Sequence, residues 1–182
     1  PSLIGPHQIQ NAALAAASVI YSNNFTPIDD RLFSGIGFAK WPGRVQFIDK
    51  GKLLNYRGAR PIWIDGAHNS HSATALAASL AKITGEKWTL IAGMLETRKP
   101  DDIFMPLKNL ISEIFTVTIP DQVASLSAQE LSENCQSLGI KATAKSSLIE
   151  ALSATSKSEF VVICGSLYLA GHALLLNNTL PE

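Results

Sequence analysis

Ile64-Asp65-Gly66-Ala67-His68-Asn69 follows an apolar run and precedes a stretch of helix formers, which places it at the corner where a strand gives way to a helix. A carboxylate at such a corner can accept hydrogen bonds from the two hydroxyls of a ribose. Gly66 admits a ligand close to the backbone, and His68 and Asn69 bring planar polar groups to a helix N-terminus. The competing account is local: a strand-ending aspartate, with Asn69 or Ser70 capping the helix. Pro42-Gly43-Arg44-Val45-Gln46 sets a guanidinium between a tight turn and a strand. It could form a forked, charge-assisted pair with a phosphate, or it could simply be solvated. Cys164-Gly165-Ser166 is another strand-to-helix turn, whose backbone N–H groups suit a carboxylate or phosphate, or only the Ser166 cap. His7 and Asn11 lie four apart on one helix face, and Asn11 in an alanine-rich helix calls for a partner, an adenine edge or a loop carbonyl. His71 and His172 are isolated and read as packing or surface residues. Arg98-Lys99-Pro100-Asp101-Asp102 reads as a solvated charge run rather than an acid-binding cluster.

Several chemistries have no carrier in the string. No GxxxxGKS/T occurs and no GxGxxG follows a strand, which disfavours a complete P-loop enzyme and a dinucleotide dehydrogenase. No GxSxG marks a hydrolase nucleophile elbow. The 182 residues carry 15 basic and 15 acidic side chains, so there is no electrostatic footprint for nucleic acid. Cys135 and Cys164 stand far apart; Cys164, inside an apolar run, reads as a small buried hydrophobe, and no cysteine–histidine cluster suggests a metal. The apolar stretch 12–20 is too short to span a bilayer and has no basic leader before it. A reducing, cytoplasmic compartment is expected, with no membrane partner. The first residue is Pro1, not Met, which suggests a processed chain or a piece of a longer one.

With 46% hydrophobic and 16% charged residues, the chain can bury a core. Helix is predicted over 7–22, and a second short helix after Thr26-Pro27 that Gly35, Gly37 and the Trp41-Pro42-Gly43 turn interrupt. A boundary falls near 38–42. Beyond it the pattern alternates. Strands are predicted at 45–48 (paired with 53–56), 61–65, 87–92, 113–118, 140–144 and 159–164. Helices are predicted at 70–83, 101–110, 127–138, 147–155 and 167–176. Continuous apolar strands between amphipathic helices imply an α/β, Rossmann-like fold: a mainly parallel sheet with helices on both faces, preceded by a short helical segment. Ligands on such sheets sit beyond the strand carboxyl ends, so the loops after Asp65, Gly93, Thr118 and Cys164 matter most.

In order along the chain, Gly5-Pro6-His7-Gln8 with Asn11-Ala12, Pro42-Gly43-Arg44, Asp65-Gly66-Ala67-His68-Asn69, Gly93-Met94-Leu95 and Gly165-Ser166-Leu167-Tyr168-Leu169 resemble the folylpolyglutamate synthase and dihydrofolate synthase family, a branch of the Mur ligase superfamily. The resemblance implies that residues 1–40 are the helical tail of a P-loop ATPase domain and 41–182 the C-terminal Rossmann-like domain. It implies an ATP-dependent ligase that adds L-glutamate to dihydropteroate or folates through an acyl phosphate, forming an amide with ADP and phosphate. This chain alone would be inactive. ATP and Mg2+ would be the cofactors, the metal ligands lying in the preceding domain. The partners would be small molecules and the parent enzyme monomeric. By the same resemblance Asn11 would contact adenine, Arg44 the phosphates and Asp65 the ribose. His68 and Ser166 would lie near glutamate or the γ-phosphate, and no catalytic residue or metal ligand is assigned within the chain. Two departures stand out. Ser70 replaces the family's proline, and Glu96-Thr97-Arg98-Lys99-Pro100-Asp101-Asp102 replaces a compact Asp-Lys-Asp-like string, so Lys99 and Asp101 are given no role. The alternatives are another Mur-type amino-acid ligase, or a non-catalytic module that binds a nucleotide or small acid.

Overall fold

The structure, a computed structural model, describes residues 1–22 and 30–179; the expected cap at Thr26-Pro27 lies outside them. Helices α1 (His7–Ile20) and α2 (Asp30–Phe38) come first. They are followed by β1 (Gln46–Ile48), a 3-10 turn (Lys52–Arg57), β2 (Ile62–Ile64), α3 (Ser70–Ile83), β3 (Trp88–Ala92) and α4 (Pro100–Phe104). The chain then continues through β4 (Ile111–Thr116), α5 (Ala128–Ser137), β5 (Ala142–Ala144), α6 (Leu148–Ala154), β6 (Val161–Cys164) and α7 (Leu167–Leu176). The strands form one sheet in the order β1-β2-β6-β3-β4-β5. Its pairings are parallel except that of β1 with β2.

Alternate strand residues feed two cores, which is why the strands are apolar throughout. Trp63, Leu90, Ala92, Ile114 and Val162 pack with residues of α3, α4 and α5. Ile62, Ile64, Ile91, Phe115 and Ile163 pack with α6, α7 and the 3-10 turn. The expected α/β architecture, with helices on both faces, is therefore observed. β6 is inserted between β2 and β3, and the helices that leave β2 and β6 go to opposite faces. That divergence opens a crevice beyond the strand carboxyl ends.

Three local expectations are corrected. β1 pairs with β2 and not with 53–56, because Gly51 at φ 117° and Gly58 at φ 70° bend the chain on both sides of that segment. There Leu53 and Leu54, adjacent in sequence, both enter the same core, whereas successive residues of a strand point to opposite faces. The helix expected over 101–110 ends at Phe104 and tightens into i→i+3 bonds, Leu107 N–H to Phe104 C=O and Leu110 N–H to Leu107 C=O. The tightening lets Phe104 and Leu107 both turn inward. Gly35 and Gly37 lie inside α2 instead of ending it; a mid-helix glycine costs only about 1 kcal/mol.

Helix ends follow local chemistry. Asn69 caps α3 with Ser72 completing a reciprocal box, and Ser127 and Glu130 do the same for α5. One buried charge escaped the sequence reading. Arg57, 1% exposed, closes the 3-10 turn against the start of β2 and the end of α6. Its guanidinium donates to Pro61 C=O, to Ser158 C=O at 2.6 Å and to Thr155 Oγ1 at 3.3 Å. Burial, with the nearby Arg60 charge, lowers its pKa to about 10.

Candidate functional site at the strand carboxyl ends

Asp65 ends β2 and is 6% exposed. Its Oδ2 accepts the Val45 N–H and its Oδ1 the Ala67 N–H, both at 2.8 Å, while Gly66 N–H donates to Gly43 C=O at 2.8 Å. The Val45 and Gly66 bonds tie the 43–45 turn to the 65–67 corner, and the Ala67 bond closes the corner on itself. Val45 holds φ at 45° and Gly43 at 70°, so the turn enters a conformation that the aspartate's bonds help to hold. Burial raises the Asp65 pKa, and the two N–H donors, the Arg44 charge and the His7 charge work against that rise. Each carboxylate oxygen keeps one lone pair for a further donor.

Arg44 projects from this braced turn. Its Nη1 lies 3.3 Å from Gly43 C=O and 3.0 Å from where a Gly66 Cβ would stand, and the Leu167 side chain would collide with the same Cβ. The absence of a side chain at Gly66 is therefore what seats the guanidinium over the corner. Arg44 also lines a hollow of about 390 Å³ together with Ile4, Trp41, Phe47 and Leu174.

The second cavity, about 150 Å³, lies in the crevice. It is bounded by His68, Leu95, Thr97, Arg98 and the 165–168 turn. The backbones that form it interlock. Gly165, at φ 103°, donates its N–H to Ala67 C=O at 3.0 Å, and a Cβ there would stand 2.7 Å from Gly93 C=O. His68 Nδ1 lies 2.8 Å from Gly66 C=O. Since a carbonyl only accepts, Nδ1 is the donor, and in the neutral ring Nε2 is the acceptor. Ser166 is buried; its Oγ accepts the Tyr168 N–H at 3.1 Å as cap of α7 and retains its own proton for a partner. The Arg98 backbone is turned back by a bond to Leu95 C=O, while its side chain is exposed at the cavity wall.

Of the residues singled out in the sequence, Arg44 and Asp65 thus share one corner, and His68 and Ser166 share the adjoining cavity. Asn11 stands apart, exposed on α1, its Nδ2 donating to Gln8 Oε1 at 3.1 Å. Arg98, read as part of a solvated run, lines the cavity. The signal that could have found it is its place five residues beyond Gly93, on a loop already marked as ligand-facing. Cys164 is buried, as expected. Among the described residues no three His, Cys, Asp or Glu side chains converge to hold a metal, and no helix is long and apolar enough to cross a membrane.

A doubly wound α/β domain with a polar crevice at its topological switch point is a ligand-binding architecture. Residues 53–176 match the family model described as dihydrofolate synthetase, C-terminal domain, and the chain belongs to that family. It is 30% identical to the dihydrofolate synthase/folylpolyglutamate synthase of Bacillus subtilis over 176 residues, which cover 92% of this chain and 38% of the relative. It superposes with a TM-score of 0.84 on Mycobacterium tuberculosis folylpolyglutamate synthase complexed with ADP and AMPPCP, at 25% identity, covering 99% of this chain and 42% of that one. A bifunctional folylpolyglutamate synthase/dihydrofolate synthase with Mn, AMPPNP and L-glutamate bound gives a TM-score of 0.77 at 25% identity, covering 96% of this chain and 40% of the other. The chain therefore spans well under half the length of these relatives. The family resemblance carried by the motifs is borne out.

Proposed function

We propose that this chain is the C-terminal part of an ATP-dependent ligase that joins L-glutamate to dihydropteroate or to folates. The observation that carries the reading is the meeting of four segments, 43–45, 65–68, 95–98 and 165–168, at one crest. The braced Arg44–Asp65 corner adjoins a small cavity that offers a cation, a free hydroxyl proton, an imidazole lone pair and the N-terminus of α7. In this reaction ATP transfers its γ-phosphoryl group to a pterin-side carboxylate, giving an acyl phosphate and ADP. The glutamate amine then attacks the acyl carbon, and amide and phosphate result. Arg44 supplies positive charge against the phosphates, and Asp65 offers its remaining lone pairs to ribose hydroxyls while holding the Arg44 turn in place. In the cavity Arg98 and Ser166 suit a carboxylate of glutamate. His68 Nε2 can accept a hydrogen bond from the amine.

Residues 1–40 are assigned to the tail of a preceding ATPase domain, which supplies the P-loop and the Mg2+ ligands, and 41–182 to the C-terminal domain. The apolar side chains that α1 leaves exposed, Ile9, Leu14 and Ile20, support this: they would be covered by that domain. The protein would act in the cytoplasm as a monomer on small molecules. The test is ADP release by the full-length protein, with dihydropteroate and then tetrahydrofolate as acceptor. Release that requires both glutamate and a pterin is expected, and release that ignores glutamate would sink the reading.

A further inference from the structure

One buried donor has no role in the site described above. His7 Nδ1 is shut off from solvent and has no hydrogen-bond partner. Its protonation follows from its neighbours. Asn11 Nδ2 donates to Gln8 Oε1 at 3.1 Å, which turns Gln8 Nε2 toward His7 Nε2 at 2.9 Å. An amide nitrogen only donates, so His7 Nε2 accepts and Nδ1 bears the hydrogen. Facing it across the same small space is Ser79 of α3, fully buried, whose hydroxyl donates to Ala75 C=O at 2.8 Å and so keeps its acceptor lone pairs free. The point where a Gly5 Cβ would stand is 2.8 Å from His7 Nδ1 and 2.7 Å from Ser79 Oγ. Gly5, at φ 121°, leaves that point empty. A lone donor and an unused acceptor thus both lie close against Gly5, between the segment that carries α1 and the domain that carries the Asp65 corner.

We propose that His7 and Ser79 are positioning residues: a hydrogen bond from His7 Nδ1–H to Ser79 Oγ, closed by a small shift over Gly5, docks α1 onto α3 and sets Asn11 relative to the Arg44–Asp65 corner. The Gln8 amide extends this joint to Asn11, so the order of the imidazole is passed to the side chain assigned to adenine. The role in nucleotide binding rests on that assignment; the joint itself does not.

The joint is read in the full-length protein by ring 15N NMR of labelled histidine, with His7→Gln identifying the signal. A protonated Nδ1 whose hydrogen exchanges slowly, and faster in Ser79→Ala, is expected. An unprotonated Nδ1, or exchange unaffected by Ser79→Ala, overturns the joint. Nucleotide affinity is measured by calorimetry with ADP. His7→Gln, which keeps the Nε2 position and loses the Nδ1 donor, should weaken Kd roughly three- to tenfold. His7→Asn, whose amide nitrogen overlays Nδ1, should restore it to within about twofold of wild type. Equal affinity in wild type and His7→Gln, or no rescue by His7→Asn, overturns the positioning role, as does a wild type that binds no ADP. A wild type that binds ADP yet ligates no glutamate defeats the ligase reading and leaves these outcomes standing.

Discussion

Asp65 shows how a side chain proposed to bind ligand can also brace the backbone around it. Both of its oxygens already hold backbone N–H groups, so Asp65→Asn must turn an amide NH2 toward one of them and leave that donor unpaired. A loss of about 1–3 kcal/mol is expected, seen as a lower denaturation midpoint at unchanged slope. Arg44→Ala breaks no buried pair, and its stability should stay within about 0.5 kcal/mol of wild type. In the full-length protein it should still lose about 2–5 kcal/mol of transition-state stabilisation in ADP release, by analogy with buried charge pairs. If the two variants lose stability and activity in parallel, their proposed roles are wrong. His7 gives a pH signature. Burial lowers its pKa below the ordinary 6.5, with Asp65 opposing and Arg44 and His71 adding to the shift. The unfolded chain therefore binds more protons between the folded and unfolded values. The stability that comes from holding the ring neutral is full above pH 6.5 and is lost as pH falls through the folded value. The fall in stability with acidification should be shallower in His7→Gln, and an unchanged slope would show that His7 does not contribute.

At the scale of elements, the crest depends on backbones that approach more closely than side chains permit. The turn between β6 and α7 lies against the end of β3 at Gly165, where an added Cβ would meet Gly93 C=O at 2.7 Å in a left-handed conformation. Gly165→Ala should cost about 2–4 kcal/mol and spread the cavity between His68 and Ser166. Gly85→Ala has nothing near its new methyl group and should be neutral within about 0.5 kcal/mol. Thermal melts of the pair distinguish close packing from a general intolerance of alanine. At the other end of α7, buried Asn177 accepts the Leu53 N–H and donates to Lys50 C=O, so the helix that starts at the cavity is anchored below it to the turn before β2.

For the whole molecule, the two large cores contain, among the described residues, none before Val45, while Ile9, Leu14, Tyr21 and Phe38 are exposed. Residues 41–182 should therefore fold as a cooperative unit without the first 40, and binding of a hydrophobic dye should fall when those apolar side chains are removed. A single sharp melt with reduced dye binding is expected. A broad, non-cooperative transition would move the domain boundary.

Much of this was legible in the residues themselves. The bounds of α3 and α7, the strand-to-helix corners at Asp65 and Cys164 and the doubly wound class all follow from apolar period, caps and glycines, which act over a few residues and are written locally. The pairing of β1 with β2, the insertion of β6 between β2 and β3, the burial of Arg57 and the partners of Asp65 had no such trace. Each depends on segments tens of residues apart, chosen by how much apolar surface and how many backbone groups the whole sheet can satisfy together. The same insertion brings Ser166 and Arg98 beside His68: the sequence by itself determined which residues could bind, and only the order of the strands decided which of them share a cavity.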